Sequence, residues 1–394
     1  MLYISMYNLG VQSTKGGSTM NYLIATDSFK GSLSSMEAAT CVKDGITRVF
    51  PDANIILMPV ADGGEGTVDA VLSGVNGKAI SETVMDPLGR PVEAKFAILS
   101  TGEAVIEMAQ ASGLLRIDPK ERNILSASTY GTGQLIKKAL DMGCRKICIG
   151  IGGSATNDGG VGMAQALGVH FLNESGMELS PGGGELGKLA KIDCKHIDPR
   201  LKEADIIVMC DVNNPLCGPA GASRIYGPQK GATINMVLQL DKNLEHFADI
   251  VEKDLEINAR NYPGAGAAGG LGMGLMCFTG ARLVRGIDAI LDLSAFDEEL
   301  ETADVVITGE GKLDLQTMRG KVIFGVLERC EKKSIPVIAV CGRVTDEGRQ
   351  ALGKRFRAIV AAADESVPLD LAIKNAKLLL TGATERIIKQ LFTT

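Results

Sequence analysis

Two glycine loops of the same pattern contain the first residues that could do chemistry. Residues 62–66 and 158–162 both read D-G-G-x-G, and each follows an apolar, strand-like run and precedes a predicted helix. Glycines at a helix start let backbone N–H groups converge on an anion, and a carboxylate beside them offers a ligand for Mg²⁺ or a general base. A simple turn before a helix would have the same letters. Because the pattern occurs twice, we favour a phosphate site.

A third loop gathers charged residues behind a buried strand. Residues 309–314 read G-E-G-K-L-D, so Glu310, Lys312 and Asp314 share one loop. A lysine beside carboxylates in a glycine loop suits charge-balanced phosphoryl transfer, although a solvated charged turn would also explain it. Asp27 and Lys30 repeat this arrangement after the first predicted strand. We expect both lysines to bind anionic groups.

Other patterns are weaker or absent. Residues 150–155 match the dinucleotide fingerprint G-x-G-x-x-A by letter, but no acidic residue ends a following strand at the required distance. Asp211 and Asn213 close another apolar run, where an amide could hold a hydroxyl or carboxylate and an Asx turn is the alternative. No Walker loop occurs, and none of the three histidines lies in a glycine loop, so we predict no histidine base.

The order of the predicted elements indicates how these loops are positioned. Strand, helix and strand alternate near both ends of the chain, whereas residues 79–108 read as short strands with antiparallel or mixed pairing. We therefore predict an α/β fold, a Rossmann-like doubly wound parallel sheet with a second, inserted α/β domain of mixed sheet. The predicted limits are an extension at 1–19, a discontinuous domain at 20–80 and 286–394, and the insert at 81–285. In such sheets ligands bind beyond the carboxyl ends of the strands.

Composition excludes several classes of protein. The 45% hydrophobic share over 394 residues predicts a large folded core. The net charge of −6 shows no basic surplus, so we expect no nucleic-acid partner. Residues 262–281 lack charge, but their seven glycines argue against a membrane span. The nine cysteines include no C-x-x-C pair, which is typical of reduced thiols and predicts a cytoplasmic location.

The longer motifs resemble those of the bacterial glycerate kinases of the type I family. The motifs that carry the resemblance are residues 27–31, 61–67, 149–160, 227–232, 264–272 and 307–312. Their order agrees as well, and the resemblance covers Met20 to about Thr394. At the end of the last motif this chain has Lys312, where Arg is equally expected; the charge is kept.

The resemblance implies ATP-dependent phosphorylation of D-glycerate with Mg²⁺, by in-line transfer in an interdomain cleft, with 2-phosphoglycerate as the favoured product. We expect Asp62, Lys30, Glu310 and Asp211 to be catalytic, and Asp62, Glu310 and Asp314 to bind the metal. The expected substrate- and phosphate-binding residues are Asp27, Gly63, Gly64, Glu65, Gly152, Gly153, Ser154, Thr156, Asn157, Asp158, Asn213 and Lys312.

Three points stay open at this stage. The loops do not decide which hydroxyl accepts the phosphoryl group, which carboxylate is the base, or whether the chain is a monomer or a homodimer. A nicotinamide-dependent oxidoreductase acting on the same hydroxy acid is one rival interpretation. A sensor that binds glycerate or nucleotide without turnover is another, and an assay for ADP release separates it from a kinase.

Overall fold

The computed structural model describes residues 3–4, 20–61, 63–64, 66–315 and 322–393. Within these ranges the strands are β1 Tyr3–Ile4, β2 Asn21–Thr26, β3 Asn54–Leu57, β4 Gly77–Met85, β5 Pro91–Leu99, β6 Ala104–Glu107, β7 Lys146–Gly150, β8 His170–Leu172, β9 Lys191–Asp193, β10 Asp205–Met209, β11 Arg282–Val284, β12 Val305–Gly309, β13 Lys312–Leu313, β14 Val337–Cys341, β15 Arg343–Val344 and β16 Ala358–Ala361.

The helices of the same ranges follow the strands in alternation over much of the chain. They are α1 Ser35–Thr47, α2 Thr67–Gly74, α3 Ala109–Ser112, α4 Tyr130–Asp141, α5 Val161–Ala166, α6 Ala222–Tyr226, α7 Ile234–Leu255, α8 Leu271–Thr279, α9 Gly286–Leu293, α10 Phe296–Glu299, α11 Val322–Lys332, α12 Asp346–Leu352, α13 Leu369–Lys374 and α14 Ala376–Phe392. Short 3₁₀ turns lie at Leu114–Arg116, Gly183–Lys188, Pro199–Glu203, Pro228–Lys230 and Ala267–Gly270.

The described residues divide into two compact units. The first comprises those of Met1–Asp62, Asp69–Val75 and Ile287–Thr394, so it is built from both ends of the chain. The second comprises those of Gly63–Val68 and Asn76–Gly286.

The first unit contains a parallel sheet of order β16-β14-β12-β2-β3, and β1 pairs antiparallel with β16 at the edge. Tyr3–Ile4 of the predicted extension therefore adds an edge strand. The central strands are apolar along their whole length, as expected where both faces of a parallel sheet are covered. Numbered along the chain, the five parallel strands have the order 2-1-3-4-5, and the order reverses between β2 and β12. The predicted doubly wound parallel sheet is confirmed.

Helices cover both faces of this sheet. Alternate strand residues, such as Ile24 and Ile307, form one core cluster with α1 and α14. The intervening residues, such as Leu23 and Val306, are equally buried, and α11 packs against β2, β12 and β14. Because side chains alternate along a strand, α11 covers the opposite face. A capping box begins α1, since Ser34 and Glu37 exchange hydrogen bonds.

The second unit contains a mixed sheet of order β11-β10-β7-β6-β5-β4. The first four strands run parallel, and β6, β5 and β4 pair antiparallel, which confirms the predicted mixed pairing. Its core is largely aliphatic, with the rings of Phe171, Phe247 and Phe278 in mutual contact.

One local prediction was wrong. The loop predicted at 309–314 contains β13, which pairs with β15, because Lys312 and Leu313 meet Arg343 and Val344 in parallel register. Residues 369–391 are helical and form α13 and α14, which join at Asn375. In the described part of the chain no helix combines the length and apolar character that crossing a membrane requires.

Candidate functional site

The carboxyl ends of four neighbouring strands in the first unit surround one cavity of about 480 Å³. Asp27 follows β2, Glu310 follows β12, Arg343 lies two residues beyond β14, and Ala363 lies two residues beyond β16. The edge where strands end, next to a reversal of strand order, is where ligands bind in open α/β sheets. The predicted residues Asp27, Lys30, Glu310 and Lys312 all line this cavity.

A tight turn presents Lys30 to the cavity. The Asp27 N–H donates to Gly309 O at 2.9 Å, which fixes the end of β2 against the end of β12. Phe29 and Leu33 then exchange backbone hydrogen bonds, and Gly31 between them has φ of 81°, a conformation that favours glycine. Lys30 is exposed at the tip of this turn and lines the cavity.

The other charged lining residues lie in the β13–β15 pair or directly next to it. Glu310 is 4% exposed, and its carbonyl oxygen accepts a hydrogen bond from the Gly342 N–H at 3.0 Å. Lys312 lies opposite Arg343 in the register, and its Nζ is 3.5 Å from an oxygen of Asp314. The cavity therefore combines three cations with two carboxylates, the balance that binding and transfer of phosphate needs.

Arg343 is a lining residue that sequence reasoning missed. Its Nη2 donates to Val367 O at 2.6 Å, which orients the guanidinium. Its Nε is buried, and no hydrogen-bond partner for it lies among the described residues. Arginine is well suited to phosphate and carboxylate because its donors form a planar fork. In the sequence Arg343 follows an apolar run and a glycine, as Glu310 does.

In the second unit, Gly63 and Gly64 of the first glycine loop lie against the carboxyl end of β7 and the residues that follow it. A Cβ on Gly150 would lie 2.2 Å from Gly63 O, and one on Gly152 would meet Gly64 Cα at 3.5 Å. The loop after β7 is also fixed to α3, because Ala155 N donates to Ser112 O at 3.0 Å. Asp62 and Glu65, which belong to the first of these loops, lie outside the described residues.

The Asp158 carboxylate is hydrogen-bonded within the protein. It is fully buried, and its carboxylate accepts hydrogen bonds from the Thr129 N–H and hydroxyl and from the N–H groups of Gly160 and Gly162. Thr129 precedes α4 and Gly162 lies in the first turn of α5, so the carboxylate complements two helix starts. Burial raises the pKa of Asp158 above its ordinary value, against the effect of these hydrogen bonds.

Lys230 is the second residue that sequence reasoning missed, although it lies inside the motif at 227–232. It is 2% exposed, and its Nζ donates to Ser154 Oγ at 2.5 Å and to Thr156 O at 2.7 Å. Burial lowers the pKa of Lys230 to about 7, and the negative charge of Asp158 opposes this shift. The ammonium thereby determines the shape of the predicted phosphate-binding loop.

Ser223 completes the support of this loop. Its hydroxyl donates to Asn157 Oδ1 at 2.9 Å. Asn157 Nδ2 and Thr156 Oγ1 are buried without a hydrogen-bond partner among the described residues. Buried unpaired polar atoms are uncommon in folded proteins and concentrate where function requires them.

The uncharged, glycine-rich segment at residues 262–281 packs directly on residues 156–160 of the same loop. Gly159 N donates to Gly269 O at 3.0 Å. A Cβ on Gly269 would lie 2.0 Å from Thr156 O, and one on Gly274 would lie 2.5 Å from Gly159 O. Only glycine permits backbones to approach this closely. The segment is therefore a packing surface for residues 156–160.

Asp211 and Asn213 are the remaining predicted residues that the structure describes in the second unit. Asp211 is exposed, and its Oδ1 accepts a hydrogen bond from Gly286 N, the first residue of α9, at 2.9 Å. Asn213 is exposed as well, whereas its neighbour Asn214 bonds the Tyr226 hydroxyl and Ala220 O.

Oxygen ligands for Mg²⁺ are available at the cavity of the first unit. Among the described residues no cluster of three or more His, Cys, Asp and Glu side chains forms a complete protein metal site. Mg²⁺ in phosphate-transferring sites is held by one or two carboxylates together with substrate phosphates. Asp27 and Glu310 follow hydrogen-bonded neighbouring strands and both line the cavity, so this donor set fits the ion.

The doubly wound sheet, its charged strand-end cavity and the glycine loop fixed by Lys230 are the features of an α/β protein with candidate sites for anionic ligands. The sequence model of the Glycerate kinase family matches residues 22–392. The chain belongs to this family, and it is a kinase.

The relatives agree over nearly the whole chain. Glycerate kinase of Bacillus subtilis (strain 168) is 48% identical, with 91% of this chain and 94% of the relative covered. Glycerate 2-kinase of Escherichia coli (strain K12) is 47% identical, with 83% and 86% covered. A crystal structure of a protein from Salmonella typhimurium LT2 has a TM-score of 0.88 at 41% identity, with 95% of this chain and 99% of that chain covered.

Proposed function

We propose that the chain transfers the γ-phosphoryl group of ATP to the 2-hydroxyl of D-glycerate, with Mg²⁺ as the metal ion. The observation that carries the proposal is the cavity in which Lys30, Lys312 and Arg343 face the same space as Asp27 and Glu310. The 47% identity to a protein named glycerate 2-kinase supports the choice of the 2-hydroxyl.

The cationic residues and the carboxylate have different proposed roles. Lys30, Lys312 and Arg343 bind the phosphate oxygens and offset the charge that spreads over them during transfer. Glu310 orients the glycerate hydroxyl and accepts its proton. A bond forms between that hydroxyl oxygen and the γ-phosphorus, the bond from phosphorus to the bridging oxygen breaks, and ADP leaves. The proton then passes from Glu310 to solvent.

Asp27 and one carboxylate oxygen of Glu310 would hold Mg²⁺ with the phosphates, and the other oxygen of Glu310 would accept the proton. When bound, the ion would supply positive charge that offsets the charge of the phosphates. Asp62 and Asp314 stay predicted ligands. Asp211 stays a predicted catalytic residue, and Asn213 and Glu65 stay predicted substrate contacts.

The glycine loop of the second unit is the proposed site for an anionic group of a substrate. Gly152, Gly153 and Ser154 follow β7, and the backbone of this loop is fixed by Lys230 and α3. Fixed N–H groups at a strand end bind an anion without needing to reorganise. The interdomain cleft, the cytoplasmic location and the oligomeric state stay predictions.

The proposal is tested by measuring ADP release coupled to NADH oxidation, with D-glycerate, ATP and Mg²⁺ supplied. We expect turnover that depends on D-glycerate, and ³¹P and ¹H NMR of the product should show the phosphate on carbon 2. No ADP release under these conditions would contradict the kinase proposal, and a phosphate on carbon 3 would contradict the regiochemistry.

Two variants test the residue roles. Glu310→Gln removes the proton acceptor, so kcat should fall about 10²-fold or more. Lys30→Met should reduce kcat/KM, because it removes a phosphate contact. The matched controls are Glu347→Gln and Lys354→Met, which change exposed residues in α12 and in the loop before β16. Near-full turnover by Glu310→Gln would show that this carboxylate is not the base.

A further inference from the structure

One end of the strand-end cavity has no part in the chemistry proposed above. The lining contains the charged residues and two serines, Ser28 and Ser32, and the rest is glycine or apolar. Ala362 and Ala363 at the end of β16 contribute to this apolar part. Glycerate is a small polar acid with no apolar face to bury there. The apolar part of the lining therefore indicates a ligand that has an apolar group.

A continuous helical stripe forms the apolar wall. Its residues are Leu369, Ala372, Ile373, Ala376, Leu379 and Leu380. They recur every three or four positions, which places them on one side of a helix. The helical hydrogen bonds pass through the junction of α13 and α14, since Asn375 N donates to Leu371 O and Leu379 N donates to Asn375 O, both at 3.0 Å.

The stripe runs from the core to solvent. Leu380 is fully buried in the core of the first unit, whereas Leu369 and Ile373 are 57% and 40% exposed. Between these ends Ala372 and Ala376 carry only a methyl group, so the helix surface leaves space opposite Ala362 and Ala363. Exposed apolar side chains on the wall of a cavity are typical of a ligand-binding surface.

The size and position of the cavity narrow the class of ligand. Its volume of about 480 Å³ lies in the range of sites that enclose a complete cofactor or nucleotide. The reversal of strand order between β2 and β12 lies at its charged side. The lining therefore suits a ligand that is apolar at one end and polyanionic at the other, as a nucleoside triphosphate is.

We propose that this cavity binds the nucleotide, with the base on the stripe from Leu369 to Leu379 and the phosphates toward Lys30, Lys312 and Arg343. The assignment rests on the proposed function, because it takes the phosphoryl donor to be a nucleotide. The assignment adds a location for the base. The apolar residues that would contact the base lie outside all of the sequence motifs.

Two exposed leucines of α13 provide a matched test. Leu369 lines the cavity, whereas Leu371, 48% exposed on the same helix, does not line it. Binding of ADP with Mg²⁺ to the full chain is measured by isothermal titration calorimetry, without glycerate. We expect Leu369→Ala to weaken ADP binding about fivefold, through lost apolar contact, and Leu371→Ala to change it less than twofold.

A second variant fills the space. Ala376→Phe should weaken ADP binding at least about tenfold and raise KM for ATP equally, while KM for D-glycerate changes less than twofold. Circular dichroism checks that each variant is folded. If Ala376→Phe does not fold, the ADP affinity of Leu369→Ala tests the assignment, since Leu369 is largely exposed.

The outcomes separate this inference from the kinase proposal. The nucleotide assignment is overturned if the unchanged chain binds no ADP, if Leu369→Ala binds ADP as the unchanged chain does, or if Leu371→Ala weakens binding as much as Leu369→Ala. Phosphorylation of D-glycerate could still be intact in those cases. Conversely, selective loss of ADP binding in a chain that does not phosphorylate D-glycerate would support the nucleotide site and refute the acceptor.

Discussion

Replacing Lys230 by methionine should change how the stability of the protein depends on pH. Burial lowers the pKa of this lysine from 10.5 to about 7 in the folded chain. In the unfolded chain the lysine has its ordinary value of ~10.4. Between these two pH values the unfolded state binds more protons than the folded state, so stability must rise with pH. Methionine has a similar length and no titrating group.

The size of the effect follows from the same two pKa values. At about 1.36 kcal/mol per pH unit, a pKa lowered to about 7 corresponds to a cost of about 5 kcal/mol for keeping the buried ammonium charged. The cost is fully present below pH 7 and disappears as the pH rises toward 10.5. Between pH 7 and pH 9 the unchanged chain should therefore gain about 2 kcal/mol relative to Lys230→Met.

Urea unfolding followed by far-ultraviolet circular dichroism at pH 7, 8 and 9 measures this difference. All other titrating groups are common to both chains, including Asp158, the charge that acts on Lys230. Lys354→Met, at an exposed lysine, is the control and should follow the unchanged chain. If the stabilities of the unchanged chain and Lys230→Met run parallel within about 0.5 kcal/mol, Lys230 is not held near neutrality by burial.

Two further predictions concern stability. Ser34→Ala removes the capping box of α1 and should lower the free energy of unfolding by about 1 kcal/mol, measured by urea unfolding, and no loss would show that the cap is dispensable. Gly274→Ala would place a Cβ 2.5 Å from Gly159 O and should cost about 1–3 kcal/mol. The contrasting change Gly382→Ala, within α14, has its nearest atom at 3.6 Å and should gain about 0.5–1 kcal/mol. Equal effects of the two alanines would contradict the packing argument.

Local patterns predicted most of the elements. The strand at 21–26 and the capped helix after it follow from an apolar run and a serine three residues before a glutamate. Short-range hydrogen bonds and side-chain periodicity determine such elements, so neighbouring residues contain the information. The antiparallel pairing of β4, β5 and β6 was predictable for the same reason, because short turns join these strands.

The candidate site was predicted only in part. Asp27, Lys30, Glu310 and Lys312 line one cavity, and the sequence marked them because each belongs to a motif that follows a predicted strand. Lys230 looked like an exposed lysine of a polar turn, and its burial depends on contact with residues 154–156, more than seventy positions away. Asp158 has the motif of a ligand-binding residue, but Thr129 and the start of α5 occupy its carboxylate.

By itself, the sequence determined the α/β class, the glycine loops and the family, since these depend on composition, periodicity and motifs that are contiguous along the chain. Only the tertiary structure decided which strand ends are neighbours. Asp27, Glu310, Arg343 and Ala363 share one cavity because β2, β12, β14 and β16 are hydrogen-bonded in that order. The apolar wall opposite them exists because α13 and α14 lie beside the end of β16. Such non-local pairing reflects the burial of both sheet faces over the whole unit, and no single segment of the chain specifies it.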